Sequence, residues 1–465
     1  MRPLRIASLL ILIPLFGTTP LIRAETEDTS GESEVSGWFV VISKAPSQVP
    51  IAVPDFSEGP GGLARYIDPC SREIPGTLAQ ILRADLEASG LFQVISPELY
   101  LQAISVPGRK EDFSAWSMIG AEACVRGILD RRGEELYQVE LRFYDVTAKR
   151  MVLGKRYTGS VENLRRMIHR FADEILLWLT GERGCFETRI AFVSDRSGRK
   201  EIFLMDSDGE NLHPVTSNRT LNLGPEWLGA EKILYTSYKK VQPQVYLWHI
   251  PMSKEYQITR KTRFNLGPAT SPNGRKIALA METPGGNIDI YLMTHDASNI
   301  YRITTSPAID LSPTWSPDAR FLAFVSDRTG SPQIYLFNLH AGSEGPRNQP
   351  ICLTREGNYN TSPAWSPDGK RIAFSGRRGA QFDLFLINLD QETKRTITRI
   401  TDTPWNEEDP AWSPDGRMLI YSSNQKGNYD IYTISIFAEK TRRLTESPSD
   451  EMSPAWSPGL KREGP

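Results

Sequence analysis

The chain has 465 residues, of which 39% are hydrophobic, so it can bury more than one core and form two or three domains. Its 54 lysines and arginines nearly balance 56 aspartates and glutamates, which gives a formal net charge of -2. Such a balance excludes a strong overall field for nucleic acid or an anionic membrane surface. We therefore expect a protein or a small ligand as the partner.

The N-terminus has the pattern of a secretory signal peptide. Arg2 and Arg5 precede an apolar run, residues 6–16, that is too short to cross a bilayer, and Ala24 offers a small-residue cleavage site. We predict a signal peptide over residues 1–24, cleaved after about Ala24, with an uncleaved anchor as the alternative. In a bacterium, a protein exported by such a signal peptide reaches the periplasm. No other stretch of about 18 apolar residues occurs, so we expect no insertion into the membrane.

Residues 25–37 are acidic and contain hardly any apolar side chains, which is typical of a disordered tail. The acids are Glu25, Glu27, Asp28, Glu32 and Glu34.

Residues 38–186 alternate between strand and helix patterns, which predicts a mixed α/β domain. We expect two helices, at about residues 76–89 and 161–179, with Gly181 ending the second. They should cover a small mixed sheet. Its predicted strands are Pro50–Phe56, Phe92–Ser96, Cys124–Leu129, Leu136–Asp145 and Val152–Thr158.

Four cysteines, Cys70, Cys124, Cys185 and Cys352, enter an oxidising compartment, and the sequence alone does not choose among their pairings. Free buried thiols are an equal alternative to bridges. If one bridge forms, we expect Cys70 with Cys124, because both lie in the first domain.

A proline-led motif, typified by PAWSPDG, repeats through residues 187–459 and predicts a β-propeller. Successive copies are 43, 45, 50, 47 and 44 residues apart. The motif prolines are Pro225, Pro268, Pro313, Pro363, Pro410 and Pro454.

The last copy of the motif explains how the ring should close. Five copies are followed by an apolar strand, whereas Pro454 is followed by none, and the strand at Ile190 has no copy before it. The C-terminal copy should therefore complete the first blade, which removes exposed strand edges. We predict an α+β N-terminal domain followed by an all-β six-bladed propeller closed by its C-terminal strand.

The tryptophan of the motif recurs at one blade position, which favours a packing role between blades over a ligand site. It occurs as Trp227, Trp315, Trp365, Trp412 and Trp456. Thr270 replaces it in the third blade, where we expect poorer packing. The letters Ser-Pro-Asp-Gly predict a β-turn after it.

No motif for catalysis stands out. WSPDG-type blades occur in serine peptidases, but no GxSxG sequence is present. The five histidines show no metal-binding spacing, and the stretch from Asp206 to Gly209 resembles the start of a calcium loop without its later glutamate. We predict no enzyme activity, no cofactor and no metal site.

A polar residue stands three positions before every motif proline, on the strand that should line the propeller channel. These residues are Asn222, Asn265, Asp310, Asn360, Glu407 and Glu451. Turn chemistry is one explanation. We favour a binding surface, because glutamate caps turns poorly and Glu407, Glu408 and Asp409 crowd three acids together. A partly acidic mouth would attract a basic surface.

Several stretches together resemble the TolB family of the Tol-Pal system over nearly all of the mature chain. They are PIAV at 50–53, LRADLEASGLFQVI at 82–95, LRFYDV at 141–146, LTGERGCFETRIAFVS at 179–194 and the six blades. The resemblance implies a periplasmic adaptor without catalysis that supports outer-membrane integrity and cell division.

The resemblance also implies two partners. The lipoprotein Pal would bind the propeller face, and the inner-membrane protein TolA would bind the N-terminal segment. The Pal face would map to Asn222, Leu223, Asn265, Leu266, Asp310, Leu311, Asn360, Thr361, Glu407, Glu408, Glu451 and Met452. The TolA segment would map to Phe39, Val40, Val41, Ile42, Ser43 and Lys44. The alternative is a secreted propeller that binds a peptide or carbohydrate without a Tol role.

Overall fold

A computed structural model describes residues 48–59, 69–102, 112–260, 264–340, 349–355, 357–389, 396–437 and 440–459. The predicted signal peptide, the acidic run 25–37 and the predicted TolA segment 39–44 lie outside these residues.

The N-terminal region forms one mixed sheet with helices on both faces. Its elements are β1 (Val49–Ala52), β2 (Ser57–Glu58), α1 (Pro69–Ala88), β3 (Phe92–Val94), a 3-10 turn (Pro97–Gln102), α2 (Phe113–Met118), β4 (Ala123–Arg131), β5 (Tyr137–Asp145), β6 (Arg150–Gly159) and α3 (Val161–Thr180). The strand order is β3-β1-β4-β5-β6, with β2 beside β4. β1 is parallel to β3 and β4, whereas β4, β5 and β6 are antiparallel.

The mixed sheet and its two long helices confirm the predicted architecture. Gly181 ends α3 with a φ of 75°, as a left-handed C-cap should. The start of α1 differs from the prediction, because the helix begins at Pro69 and includes Pro75. A proline removes one helical hydrogen bond but does not prevent the turns on either side from forming.

The short helix α2 was not predicted. The carboxylate of Asp112 caps it by accepting the N–H groups of Ser114 at 3.1 Å and Ala115 at 3.2 Å. Its Trp116 is fully buried and packs with Tyr100 on the face of the sheet away from α1 and α3.

Six four-stranded antiparallel sheets follow, which confirms the predicted number of blades. Blade 1 contains β30 (Glu451–Trp456), β7 (Arg189–Ser194), β8 (Glu201–Asp206) and β9 (His213–Pro214); blade 2 contains β10 (Asn222–Trp227), β11 (Lys232–Ser237), β12 (Gln244–His249) and β13 (Lys254–Gln257); blade 3 contains β14 (Asn265–Thr270), β15 (Lys276–Glu282), β16 (Ile288–Thr294) and β17 (Ile300–Arg302). Blade 4 contains β18 (Asp310–Trp315), β19 (Phe321–Ser326), β20 (Gln333–Asn338) and β21 (Ile351–Cys352); blade 5 contains β22 (Asn360–Trp365), β23 (Arg371–Arg378), β24 (Gln381–Asn388) and β25 (Thr396–Arg399); blade 6 contains β26 (Glu407–Trp412), β27 (Met418–Ser423), β28 (Asp430–Ser435) and β29 (Thr441–Arg443).

The C-terminal strand closes the ring, as predicted. β30 pairs antiparallel with β7, which places Trp456 opposite Ile190 and Glu451 opposite Ser194. Ser457 continues the pairing, because its N–H donates to the carbonyl of Arg189 at 2.8 Å. Blade 1 is thus built from both ends of the propeller segment.

The motif tryptophans pack between blades, as predicted. Trp315 is buried, and its indole Nε1 donates to the carbonyl of Ala269 in the preceding blade at 3.1 Å. Thr270 keeps an equivalent contact, because its hydroxyl donates to the carbonyl of Trp227 at 2.8 Å. The side chain of Glu226 lies beside it and accepts the N–H of Thr270 at 3.1 Å. Blade 3 therefore replaces indole packing with a polar contact.

The N-terminal region and the propeller share one hydrophobic core. Residues of α1 and α3 pack in the same cluster as Ile190, Met418 and Trp456 from blades 1 and 6. The predicted boundaries at residues 37 and 186 stay predictions. Cys185 is a free, buried thiol in this region and Cys352 is a free, half-buried thiol in blade 4, while the side chain of Cys70 is outside the description, so its pairing with Cys124 stays a prediction.

Candidate functional site: the propeller mouth

The mouth is the end of the propeller where the innermost strands begin, and we define it by the four residues before each motif proline. It lies at the end of the blades opposite the N-terminal region. In blade 1, Glu451 pairs with Ser194 at the mouth, whereas Trp456, at the other end of the same strand, packs with α3. The described part of the N-terminal region, residues 48–59, 69–102 and 112–180, therefore packs at the end of the propeller away from the mouth.

The polar residues three positions before the prolines are all buried, with at most 3% of each exposed. We call them the inner polar ring. They are Asn222, Asn265, Asp310, Asn360, Glu407 and Glu451.

The side chains of the inner polar ring form hydrogen bonds and ion pairs with other residues of the same chain. Both oxygens of Asp310 accept the guanidinium of Arg328 at 3.0 Å. Glu451 pairs with Arg196 through one oxygen, Oε1. The amide of Asn360 donates to Oε1 of Gln333, in the preceding blade, at 2.7 Å. These contacts favour the explanation that the inner polar ring joins strands and blades, since a buried charge must be paired to be tolerated.

The same pattern recurs around the ring. Asn222 donates to Glu201 of blade 1 at 2.8 Å, and Thr403 donates its hydroxyl to Glu407. Asn265 lies 3.4 Å from the carbonyl of Pro243 in blade 2. A partner at the mouth would therefore contact the neighbours of the inner polar ring and not the buried ring itself.

Residues two positions before the prolines are half-buried and reach the surface of the mouth. They are Leu223, Leu266, Leu311, Thr361, Glu408 and Met452. Of the twelve residues predicted for the Pal face, these six are accessible, and whether they contact a partner stays a prediction.

The residue directly before each proline has a left-handed backbone. The φ values lie between 49° and 55° at Gly224, Gly267, Ser312, Ser362, Asp409 and Ser453. Each innermost strand has a register shift here, so the proline, which has no N–H to donate, occupies a β-bulge. Sequence reasoning missed this feature, because serine and aspartate do not by themselves indicate a positive φ.

Asp409 links three blades at the mouth. Its carboxylate accepts the hydroxyl of Ser362 in blade 5 at 2.7 Å and that of Ser453 in blade 1 at 2.8 Å. Its own N–H donates to the hydroxyl of Ser375 at 3.0 Å. The three bonds offset the strain of its backbone conformation.

Charge is unevenly distributed over the mouth. Acids gather at blades 6 and 1, where Glu408, Asp409, Asp450 and Asp195 lie. Cations occur in or beside the turns between the second and third strands at this end in five of the six blades, including blades 6 and 1. These cations are Arg196, Arg199, Lys200, Lys239, Lys240, Arg328, Arg377, Arg378 and Lys426. The four acids of blades 6 and 1 therefore lie on the same two blades as Arg196, Arg199, Lys200 and Lys426.

The other sequence candidates lie away from the mouth. The stretch from Asp206 to Gly209 forms a turn, with the N–H of Gly209 donating to the carbonyl of Asp206 at 3.0 Å. Among the described residues, no three His, Cys, Asp or Glu side chains are grouped as metal ligands would be. Within the same residues, no helix has the length and apolarity needed to span a membrane.

Comparison with known families gives the same two parts. A model of the TolB beta propeller domain matches residues 177–460, and a model of the TolB amino-terminal domain matches residues 39–152. The chain belongs to the TolB family.

Individual relatives agree with this membership. The Tol-Pal system protein TolB of Syntrophotalea carbinolica is 40% identical over 157 residues, which is 33% of this chain and 36% of the relative. That of Desulfosudis oleivorans is 35% identical over 220 residues, or 46% of this chain and 50% of the relative. The chain thus spans about a third to a half of these two relatives in the matches.

A solved structure matches over a greater length. The crystal structure of TolB from Acinetobacter baumannii superposes with a TM-score of 0.74 at 26% identity, covering 90% of this chain and 99% of that one. The α+β region followed by the six-bladed ring is therefore the fold of a TolB structure.

Proposed function

We propose that the chain is a non-catalytic periplasmic adaptor of the Tol-Pal system that binds the lipoprotein Pal at the propeller mouth. The observation that supports this most is the open mouth. Membership of the TolB family indicates the Tol-Pal system, and the described residues of the N-terminal region pack at the opposite end of the propeller, so none of them covers this face.

The proposed contacts come from the residues that reach the surface of the mouth. Leu223, Leu266, Leu311, Thr361, Glu408 and Met452 would touch Pal. The inner polar ring would act indirectly, by fixing the strands from which these side chains project. Substitution of the surface residues should therefore lower the affinity for Pal, whereas substitution of the inner polar ring should lower stability.

The segment of residues 39–44 is our proposal for the TolA contact. It lies outside the described residues, so the support is the family membership and the position of the segment at the start of the matched N-terminal domain, residues 39–152. Removal of residues 25–44 should abolish capture of TolA while leaving the mouth intact.

The two contacts are proposed to be linked. Binding of Pal would change whether the N-terminal segment is docked or free, and by thermodynamic linkage the segment must then change the affinity for Pal. An unchanged dissociation constant for Pal after removal of residues 25–44 would contradict the linkage and leave both separate contacts standing.

A capture experiment tests the main proposal. The purified mature chain should retain the globular domain of Pal from the same organism, and a chain with Glu408→Gln and Leu266→Asn should retain less. A propeller that binds a peptide or carbohydrate without a Tol role predicts no capture of Pal. A hydrolase predicts turnover that serine-directed inhibitors stop.

A further inference from the structure

At the mouth, apolar and polar side chains lie on different blades. Four residues before the proline, blades 2, 4 and 5 present Leu221, Ile309 and Tyr359, with exposed fractions of 37%, 43% and 37%. At the same position, blades 6 and 1 present Asn406 and Asp450. The repeat therefore places apolar and polar side chains on different sides of one channel.

Apolar side chains occur at the mouth in four successive blades, 2 to 5. Beneath the exposed residues lie half-buried leucines, which pack on the cores of their own blades. We call the set the apolar arc; it consists of Leu221, Leu223, Leu266, Ile309, Leu311 and Tyr359. A grouped set of exposed apolar side chains, unlike single ones, indicates an interaction surface.

The opposite side is a cluster of four carboxylates, which we call the acidic corner: Asp195, Glu408, Asp409 and Asp450. Tyr429 orders it, since its hydroxyl donates to Glu408 at 2.6 Å and its N–H donates to Asp450 at 3.0 Å. The N–H of Asp450 donates in turn to Asp195 at 3.0 Å.

The acidic corner differs from five buried acids near the mouth that pair with arginine. Asp289, Asp310, Asp383, Asp430 and Glu451 each pair with an arginine. No member of the acidic corner forms an ion pair with another described residue. The nearby Arg196 is held by Glu451, and Lys200 points to the sulfur of Met452 at 3.6 Å. Burial raises the pKa of Glu408, as expected for a carboxyl without a cation beside it.

We propose that the mouth binds a protein that lays an apolar surface on the apolar arc and inserts one basic side chain into the acidic corner. This inference rests on the proposed function and specifies the chemistry of the partner surface. The arc would supply most of the affinity through burial, whereas the corner would fix the orientation and speed the encounter.

Two substitutions separate the contributions. Glu408→Gln keeps an acceptor for Tyr429 and removes one charge, and Ile309→Asn removes an exposed apolar side chain. Ile300→Asn is the control for the second, because Ile300 has the same exposed fraction, 43%, on the outer strand of blade 3. Glu231→Gln, at the opposite end of blade 2, is the control for the first.

The readout is the dissociation constant for the globular domain of Pal at about 50 mM and about 300 mM salt, with folding checked by thermal melting. Glu408→Gln should weaken binding about tenfold at low salt and flatten the dependence on salt. Ile309→Asn should weaken binding about tenfold at both salt concentrations, because burial is not screened. The controls should stay within about twofold of the wild type.

The outcomes distinguish the inference from the function. If the wild type binds Pal and Glu408→Gln keeps both its affinity and its salt dependence, the inference is overturned and the proposed function stands. The same holds if Ile309→Asn binds no more weakly than Ile300→Asn. If the wild type does not bind Pal, the proposed function fails and the inference fails with it.

Discussion

His169 Nδ1 lies 2.7 Å from Oδ2 of Asp85, and Nε2 of the same ring lies 3.0 Å from Oδ2 of Asp208. The imidazole of α3 thereby joins α1 to the turn after β8 in blade 1. Burial opposes its charge, but the two carboxylates outweigh burial and raise the pKa of His169 to about 10. Burial raises the pKa of Asp85, whereas His169 and Arg165 overcome burial and lower that of Asp208.

His169→Gln should destabilise the protein by about 3 to 5 kcal/mol, the usual effect of breaking a buried ion pair. Because the pKa of His169 is raised by folding, its contribution is complete below the unfolded value of about 6.5 and is lost as pH rises through about 10. Urea unfolding at pH values of about 7 and 10 should show this loss in the wild type and a smaller loss in the variant. His213→Gln, on an exposed histidine, should match the wild type, and an equal pH slope in all three proteins would contradict the assignment.

Glu226 should make the protein less stable as pH rises from 4.5 to about 7, which is the opposite direction to acid denaturation. Burial raises its pKa to about 7, although two hydrogen bonds from Thr270 oppose this. The folded state therefore holds a proton that the unfolded state releases, and stability is lost as pH rises from about 4.5 to about 7. Glu226→Gln should be more stable than the wild type at pH of about 8, by up to about 3 kcal/mol, and equally stable at about pH 4. Chemical unfolding at both pH values is the measurement, with exposed Glu231→Gln as the control; a lower stability of Glu226→Gln at the higher pH would refute it.

Asp310→Asn should lower stability rather than only binding. The substitution removes the charge that Arg328 contacts with both carboxylate oxygens and leaves that guanidinium over Tyr335 without its anion. We expect a loss of about 3 kcal/mol in the free energy of unfolding. Asp402→Asn, whose carboxylate is 80% exposed in an ion pair with Arg399, should change it by less than about 0.5 kcal/mol. A stable Asp310→Asn protein that fails to bind Pal would instead assign the inner polar ring to the partner.

Two tryptophans should respond differently to truncation. Trp412 is buried between blades and its indole donates to the carbonyl of Ala364 at 3.0 Å, whereas Trp405 is 38% exposed at the mouth. Trp412→Ala should cost about 3 to 5 kcal/mol and Trp405→Ala much less. The free energy of unfolding in urea distinguishes them, and similar losses for both would contradict the packing role of the motif tryptophan.

Features that depend on a repeated pattern were predictable from the sequence. The motif prolines, the strand at Ile190 and the copy at Pro454 predicted the blades and their closure, because periodicity and an unmatched strand are visible in one dimension. Gly181 predicted the end of α3, because a glycine that follows a helical pattern is also recognisable in the sequence alone.

Features that depend on tertiary contacts were not predictable. A polar residue before every proline looked like a binding ring, yet Asp310 and its equivalents are buried, and the partners that satisfy them, such as Arg328 for Asp310 and Gln333 for Asn360, come from other turns and strands. The turn at Asp208 resembled part of a calcium loop, but its carboxylate meets a histidine 39 residues earlier in the chain. The acids of the mouth come from positions as far apart in the chain as Asp195 and Asp450, so their grouping appears only when the ring is closed.

Amide hydrogen exchange with and without Pal tests the central claim most directly, because it locates the bound surface without any substitution. Binding at the mouth predicts slower exchange in the segments before the motif prolines, 221–224, 309–312, 359–362 and 406–409, with no change in the turns at residues 271–274 and 413–416. Slower exchange confined to those turns or to α1 and α3, with unchanged exchange before the prolines, would contradict the account.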